Sequence, residues 1–184
     1  TYYVRSYAIT ENNLWYYGNE ESFTTLSVGH SGQGGGIVFY DKGNNAGGWQ
    51  YLEAAPAEQS SGVVWGCNNQ LIEGTKPTLG SGSANTNLIV NGCSDANFAA
   101  KICQDLVSGG KSDWFLPSVF ECAVLILNMN ISNTTYWSST EIDTTQAWMV
   151  SKSTNLNYNR VDLFFISYSD SKTLSKSVRA IRKY

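Results

Sequence analysis

Histidine is almost missing from this chain: His30 stands alone among 184 residues. A serine nucleophile needs a base within hydrogen-bond reach. A Ser–His–Asp set would have to join Ser138 or Ser139 to that single ring, which lies in a glycine-rich approach to a strand. Paired C-x-x-C spacing is also missing, so the cysteines do not form a zinc ligand set. Charge is scarce as well. Only 15% of residues are charged, the net charge is −3 and the pI is about 5.1. That balance argues against a surface built for polyanions and against a nucleic-acid partner. Five of the basic residues, Lys172, Lys176, Arg179, Arg182 and Lys183, gather near the C-terminus. They read as the solvated margin of a strand. No apolar run approaches a membrane span; the longest, within "CAVLILNM", is far too short. No secretory leader is visible either. The chain begins mid-pattern, as it would if a leader had been removed or never included.

What is present is aromatic and uncharged. Aromatics reach 13%, and Gly, Ser, Thr and Asn fill much of the remainder. This composition suits a loop-rich globular domain with one sizeable core and excludes disorder. Four cysteines, Cys67, Cys93, Cys103 and Cys122, sit in the middle of the chain. An even count fits two disulfides and an oxidising compartment. Of three connectivities we favour Cys67–Cys93 with Cys103–Cys122; four buried free thiols are the alternative.

Residues 1–26 differ in pattern from the rest of the chain. Alternation in "TYYVRSYAIT", a turn at Asn12–Asn13 and a return through "WYYGNEESFTT" describe a β-hairpin. The segment resembles the last two strands of a fibronectin type III sandwich. A lone hairpin is marginal, so we expect it to dock on the adjoining domain or on another chain, or to be part of a longer protein.

Residues 27–184 open with "SVGHSGQGGGIVFY". The glycines precede the strand, the reverse of a dinucleotide fingerprint, and so are a flexible lead into it. "GNNAGGWQYLEAAP" returns as a second strand, Trp49 to Ala54. Residues 56–83 read as a long irregular stretch, held by Trp65 and Cys67. A short turn capped by Asn85 or Thr86 precedes a helix whose apolar face is Ala99, Ile102, Cys103, Leu106 and Val107. A second helix starts after Pro117, with Ser118 and Glu121 as its capping box and Phe120, Ala123, Val124 and Leu127 along one face. "YWSST", "AWMVS", "NRVDLFFISY" and "SVRAIRKY" read as strands; in the last, Val178 and Ala180 share one face, Arg179 and Ile181 the other. The order gives an α+β class.

The blocks "GGGIVFY", "GGWQYLEAAP", "WGC", "GSGSANTNLIVNGC", "AAKICQDLVSGGKSDWFLPS", "YWSSTE", "AW" and "VRAIRKY", in that order, resemble the bacterial Lcl C-terminal-type domain. That domain is related to paralogous surface domains of Bacteroidota and Fibrobacter. The resemblance implies a C-type lectin-like fold, two helices flanking small antiparallel sheets with the terminal strands paired. It implies an extracellular or cell-surface protein, non-enzymatic, often the tip of an adhesin, whose relatives include glycan binders. The E-P-N or Q-P-D loop and W-N-D strand of calcium-dependent sugar binders are absent, so calcium-mediated sugar binding does not carry over.

The richest stretch is "YWSSTEIDTTQAWMV", residues 136–150. Trp114, Trp137 and Trp148 are assigned to packing. The polar residues between the last two form a loop on a rigid base, where binding residues concentrate. We expect ligand binding by Glu141, Asp143, Thr144 and Gln146, and by Asn155, Asn157, Tyr158, Asn159 and Arg160 on a second loop. Glu141 and Asp143 could form an acid–base pair, but a structural role for Glu141, paired with Arg179, fits better. No cofactor is expected; Glu141, Asp143 and Thr144 are compatible with a structural calcium ion. The expected function is adhesion or ligand recognition, with a glycan or protein on another cell or surface as partner and no insertion into membrane. The alternative is a subunit of a surface fibre that self-assembles by strand addition.

Overall fold

The structure, a computed structural model, describes residues 2–23, 26–131, 134–154 and 163–184. Strand β1 (Tyr2–Val4) pairs antiparallel with β4 (Glu21–Phe23), and β2 (Tyr7–Ile9) with β3 (Trp15–Tyr17). The turn rests on Thr10, which receives the N–H groups of Asn13 and Leu14, and on Asn13 at φ 59°, a left-handed conformation asparagine tolerates. Tyr7, Ile9, Trp15 and Tyr17 share a face by register, with the Arg5 guanidinium 4.0 Å above Tyr17. These side chains stay exposed, so the docking expected on the rest of the chain is not made; among the described residues, these strands pair only with each other.

From Ile37 onward the fold is α+β, mostly sheet, with three short helices among the described residues. A three-stranded sheet has the order β12 (Ile181–Lys183), β6 (Tyr51–Ala54), β5 (Ile37–Asp41). A five-stranded sheet runs β10 (Leu163–Ser171), β9 (Gln146–Thr154), β8 (Thr135–Glu141), β11 (Lys176–Val178), β7 (Ser60–Val63). The helices are α1 (Gly82–Gly92), α2 (Ala99–Gln104) and α3 (Val119–Asn128).

Helix α3 lies between the sheets. Its Leu125 joins Phe39, Leu52 and Ile181 of the smaller sheet's core, while Val119, Cys122 and Ile126 pack on Tyr136 and Val150 of the larger. The expected apolar face was therefore misplaced: Phe120 and Leu127 point outward. A helix reading "VFECAVLIL" is apolar nearly all round, and periodicity cannot choose a face that two sheets define. On the opposite side of β8 and β9, Trp137 and Met149 meet Trp65, Ile89 of α1 and Cys103 of α2. Alternate residues of β8 and β9 thus enter different cores, as the period of two demands.

Other boundaries also shifted. The capped turn before α2 is a full helix, α1, and the proposed caps Asn85 and Thr86 are buried inside it, bonded to Lys76 and to Leu116. Helix α2 stops at Gln104, leaving Val107 exposed. Strand β7 lies within the stretch read as irregular. "SVRAIRKY" is two strands, because the chain leaves the large sheet at Val178 and joins the small one at Ile181. Val178, Ala180 and Ile181 are all buried at this crossing.

One disulfide joins Cys67 to Cys93; Cys103 and Cys122 are free and buried, so the expected second bridge is not formed. They face separate cores, Cys103 beside Trp65 and Cys122 beside Tyr136. Burial pushes both thiols well above the ordinary cysteine range, which leaves them inert. Under non-reducing conditions, a thiol-specific reagent should label none in the native protein and two after unfolding. Reducing Cys67–Cys93, 26 residues apart, should cost about 3–4 kcal/mol of stability in denaturant titration.

The basic C-terminal segment is not a solvated margin. Lys172 pairs with Glu141, Lys176 with Asp170 and Arg182 with Glu53 and Asp113. Arg179 donates to the carbonyls of Ala55 and Pro56, and Lys183 to that of Gly80. Each of these contacts ties the end of the chain to another part of the fold.

Candidate functional site

Three glutamates with buried side chains organise loops of the domain, one of them, Glu141, at the candidate site. Each faces backbone N–H groups that regular structure leaves unpaired, and burial of those groups without acceptors would be costly. Glu53 receives Gly34 N–H and Gly36 N–H at 2.8–3.1 Å and the Arg182 guanidinium at 3.1 Å. The glycine loop is thus a cradle for the protein's own carboxylate. A Cβ at Gly36 would strike the Ala54 carbonyl, so glycine is required there. Arg182 also forks onto Asp113 at 2.8 and 3.0 Å. Burial alone would raise the Asp113 carboxyl, but the Arg182 bonds and charge prevail and hold it below the usual range. Its contribution to stability is present above the ordinary carboxylate range and fades as pH falls through the lowered value.

Glu121 accepts from Ser118 N–H, Gly80 N–H and Gly82 N–H, joining the starts of α1 and α3. Ser118 Oγ completes the expected capping box. Burial raises the Glu121 carboxyl against those bonds. Its effect has the opposite sign to that of Asp113: the contribution is full at low pH and declines as pH rises through the raised value.

Glu141 closes β8. Ile72 N–H reaches its two oxygens at 2.9 and 2.8 Å, and Lys172 Nζ lies 2.5 Å away. The Lys172 ammonium also donates to the carbonyls of Cys67, Gln70 and Thr144 and sits 4.8 Å from the Trp65 ring. Oxygens of Glu141 and Thr144 do converge on a cation, and that cation is the lysine head group. The pairing expected with Arg179 is replaced by this one.

Asp143 Oδ1 accepts from Thr145 N–H, the Thr145 hydroxyl and Gln146 N–H, which makes it the builder of the β8–β9 turn. Thr144, on that turn, and Gln146, the first residue of β9, were also expected at the site; both are exposed and neither lines the cleft described below. Asn155, Asn157, Tyr158, Asn159 and Arg160 lie outside the described residues. His30 bonds Ser27, whereas Ser138 and Ser139 are buried, with Ser138 Oγ donating to the Trp148 carbonyl and Ser139 Oγ accepting from Asn85. The structure does not assemble a nucleophile–base pair from these residues.

Beside the turn lies a cleft of about 360 Å³. Thr140 and Glu141 of β8 form one wall, Val119 and Phe120 of α3 another, and Thr75 and Pro77 a third, with Trp148 of β9 completing it. Trp148 is half-buried, unlike its buried neighbour Trp137, and Phe120 is 53% exposed. Sequence reasoning assigned both rings to packing. The only signal for Phe120 was its place one residue before the buried Glu121, and burial of Glu121 is not visible in sequence.

The cleft is held open by its surroundings. Lys76 exchanges both backbone groups with Asn85, and Val119 N–H donates to Thr140 Oγ1. Among the described residues no helix is long and apolar enough to cross a membrane, and no group of three or more His, Cys, Asp or Glu could hold a metal ion. No protein-family model and no curated protein matches the chain.

Proposed function

We propose that the chain is a ligand-recognition module of a bacterial surface protein, with a C-type lectin-like fold behind a fibronectin-type hairpin. It works outside the cell, in adhesion to a glycan or protein on another surface. The cleft carries this reading: two partly exposed aromatic rings line a preformed concavity whose nearby carboxylate, Glu141, is already committed to Lys172 and Ile72. Such a site offers contact area and orientation, with no free acid or base among its described lining residues. The Cys67–Cys93 disulfide fits an oxidising compartment.

The purified chain, displayed on beads, should capture intact cells or a member of a glycan panel saturably. The variant Pro77→Arg changes an exposed residue of the cleft wall and should reduce capture at least ten-fold with an unchanged circular dichroism spectrum. Absence of capture from both panels would remove the recognition reading.

A second reading, a fibre subunit, is favoured by the hairpin. Tyr7, Trp15, Tyr16 and Tyr17 are exposed, and among the described residues the strand edges pair with nothing further. Concentration-dependent polymers in light scattering would support it.

A further inference from the structure

Resting on that recognition reading, we propose that the cleft between α3 and the β8–β9 strands binds an uncharged sugar ring, laid against Trp148 and Phe120. Its volume, about 360 Å³, falls in the ~300–1,000 Å³ range of small-ligand sites.

The electrostatics select a neutral ligand. A helix N-terminus commonly attracts anions through unpaired N–H groups, but those of α3 are all engaged. Ser118 N–H goes to Glu121, Val119 N–H to Thr140 Oγ1, Phe120 N–H to the Pro77 carbonyl and Glu121 N–H to Ser118 Oγ. Among the described residues, no basic side chain lines the cleft. Glu141 is neutralised by Lys172, so the described lining offers no unpaired charge to recruit a cation.

The chemistry of the walls selects a sugar. A pyranose has an apolar C–H face, which suits an aromatic ring, and a rim of hydroxyls. Phe120 and Trp148 supply the rings. Thr75 Oγ1 accepts Glu141 N–H at 3.1 Å, leaving its own proton to donate to the ligand. The loop carrying Thr75 is anchored at Ile72 by Glu141 and at Lys76 by Asn85, so little order is lost on binding.

The test uses the whole chain. Neutral oligosaccharides of glucose, galactose, mannose and N-acetylglucosamine are compared with heparin and sialyllactose, and with a non-glycosylated protein panel, all in EDTA. Binding to at least one neutral probe, weakened ten-fold or more by both Phe120→Ala and Trp148→Ala, is expected. Phe120 is exposed, so its variant keeps the fold even if Trp148→Ala does not. Neutral-sugar binding that survives Phe120→Ala overturns the cleft as the site and leaves the recognition reading intact. Binding only of the charged probes, or only of protein, overturns the sugar assignment alone. Binding of nothing, with cell capture also absent, overturns both.

Discussion

Lys172→Met is expected to lower the unfolding free energy by about 3–5 kcal/mol, the usual consequence of removing one partner of a buried ion pair. Methionine keeps the stem and its packing, so the loss isolates the ammonium. Glu141 would remain enclosed beside Ile72 with no cation, and the carbonyls of Cys67, Gln70 and Thr144 would lose a donor. For a domain of this length the melting temperature should fall by roughly 6–20 °C. The double variant Lys172→Met/Glu141→Met should be less destabilised than the single one, since it also removes the stranded charge, although Ile72 N–H still loses its acceptor. A single variant within about 1 kcal/mol of the parent in urea titration would show that the ammonium is not what holds this region. Because Glu141 and Ile72 anchor the loop that carries Thr75, the same substitution should weaken any ligand held in the cleft.

The second large effect belongs to Glu53. Glu53→Ala removes the acceptor for Gly34 N–H and Gly36 N–H and leaves the Arg182 guanidinium with Asp113 alone. A destabilisation of about 3–5 kcal/mol is expected here too. Glutamine is a poor substitute, because its amide nitrogen would face a donor whichever way it turned. The control is Asp113→Ala. Asp113 shares Arg182, but its side chain is 52% exposed, so water replaces it and the loss should stay near ~1 kcal/mol or less. Equal effects from the two substitutions would show that burial of Glu53 is not what makes it matter. Chemical denaturation of the three proteins at neutral pH separates these outcomes.

Both predictions involve a cation that the sequence pattern placed at a solvated margin. Lys172 and Arg182 looked like surface cations because a run of lysine and arginine usually is one. Their partners lie 31 and 129 positions away in the chain, and no local pattern reports such a pairing. The same limit explains the cysteines. Spacing admits Cys103–Cys122 as readily as Cys67–Cys93, and only the placement of α2 and α3 in separate cores decides between them. It explains the cleft as well: Phe120 and Trp148 line one concavity because α3 packs on β9, and each ring alone is an ordinary core candidate.

Much of the local structure was nevertheless readable. The β5–β6 hairpin, the strands β8, β9 and β10, the start of α3 at its Ser118–Glu121 box and the misfit of the glycine run to a phosphate loop come from patterns a few residues long. Those patterns settled the α+β class. Tertiary structure alone decided which faces are buried, which ions are paired, which thiols are joined and where a concavity opens. Periodicity is fixed by bonds between near neighbours, whereas the burial of a charge or a ring depends on groups that approach only when the whole chain has closed.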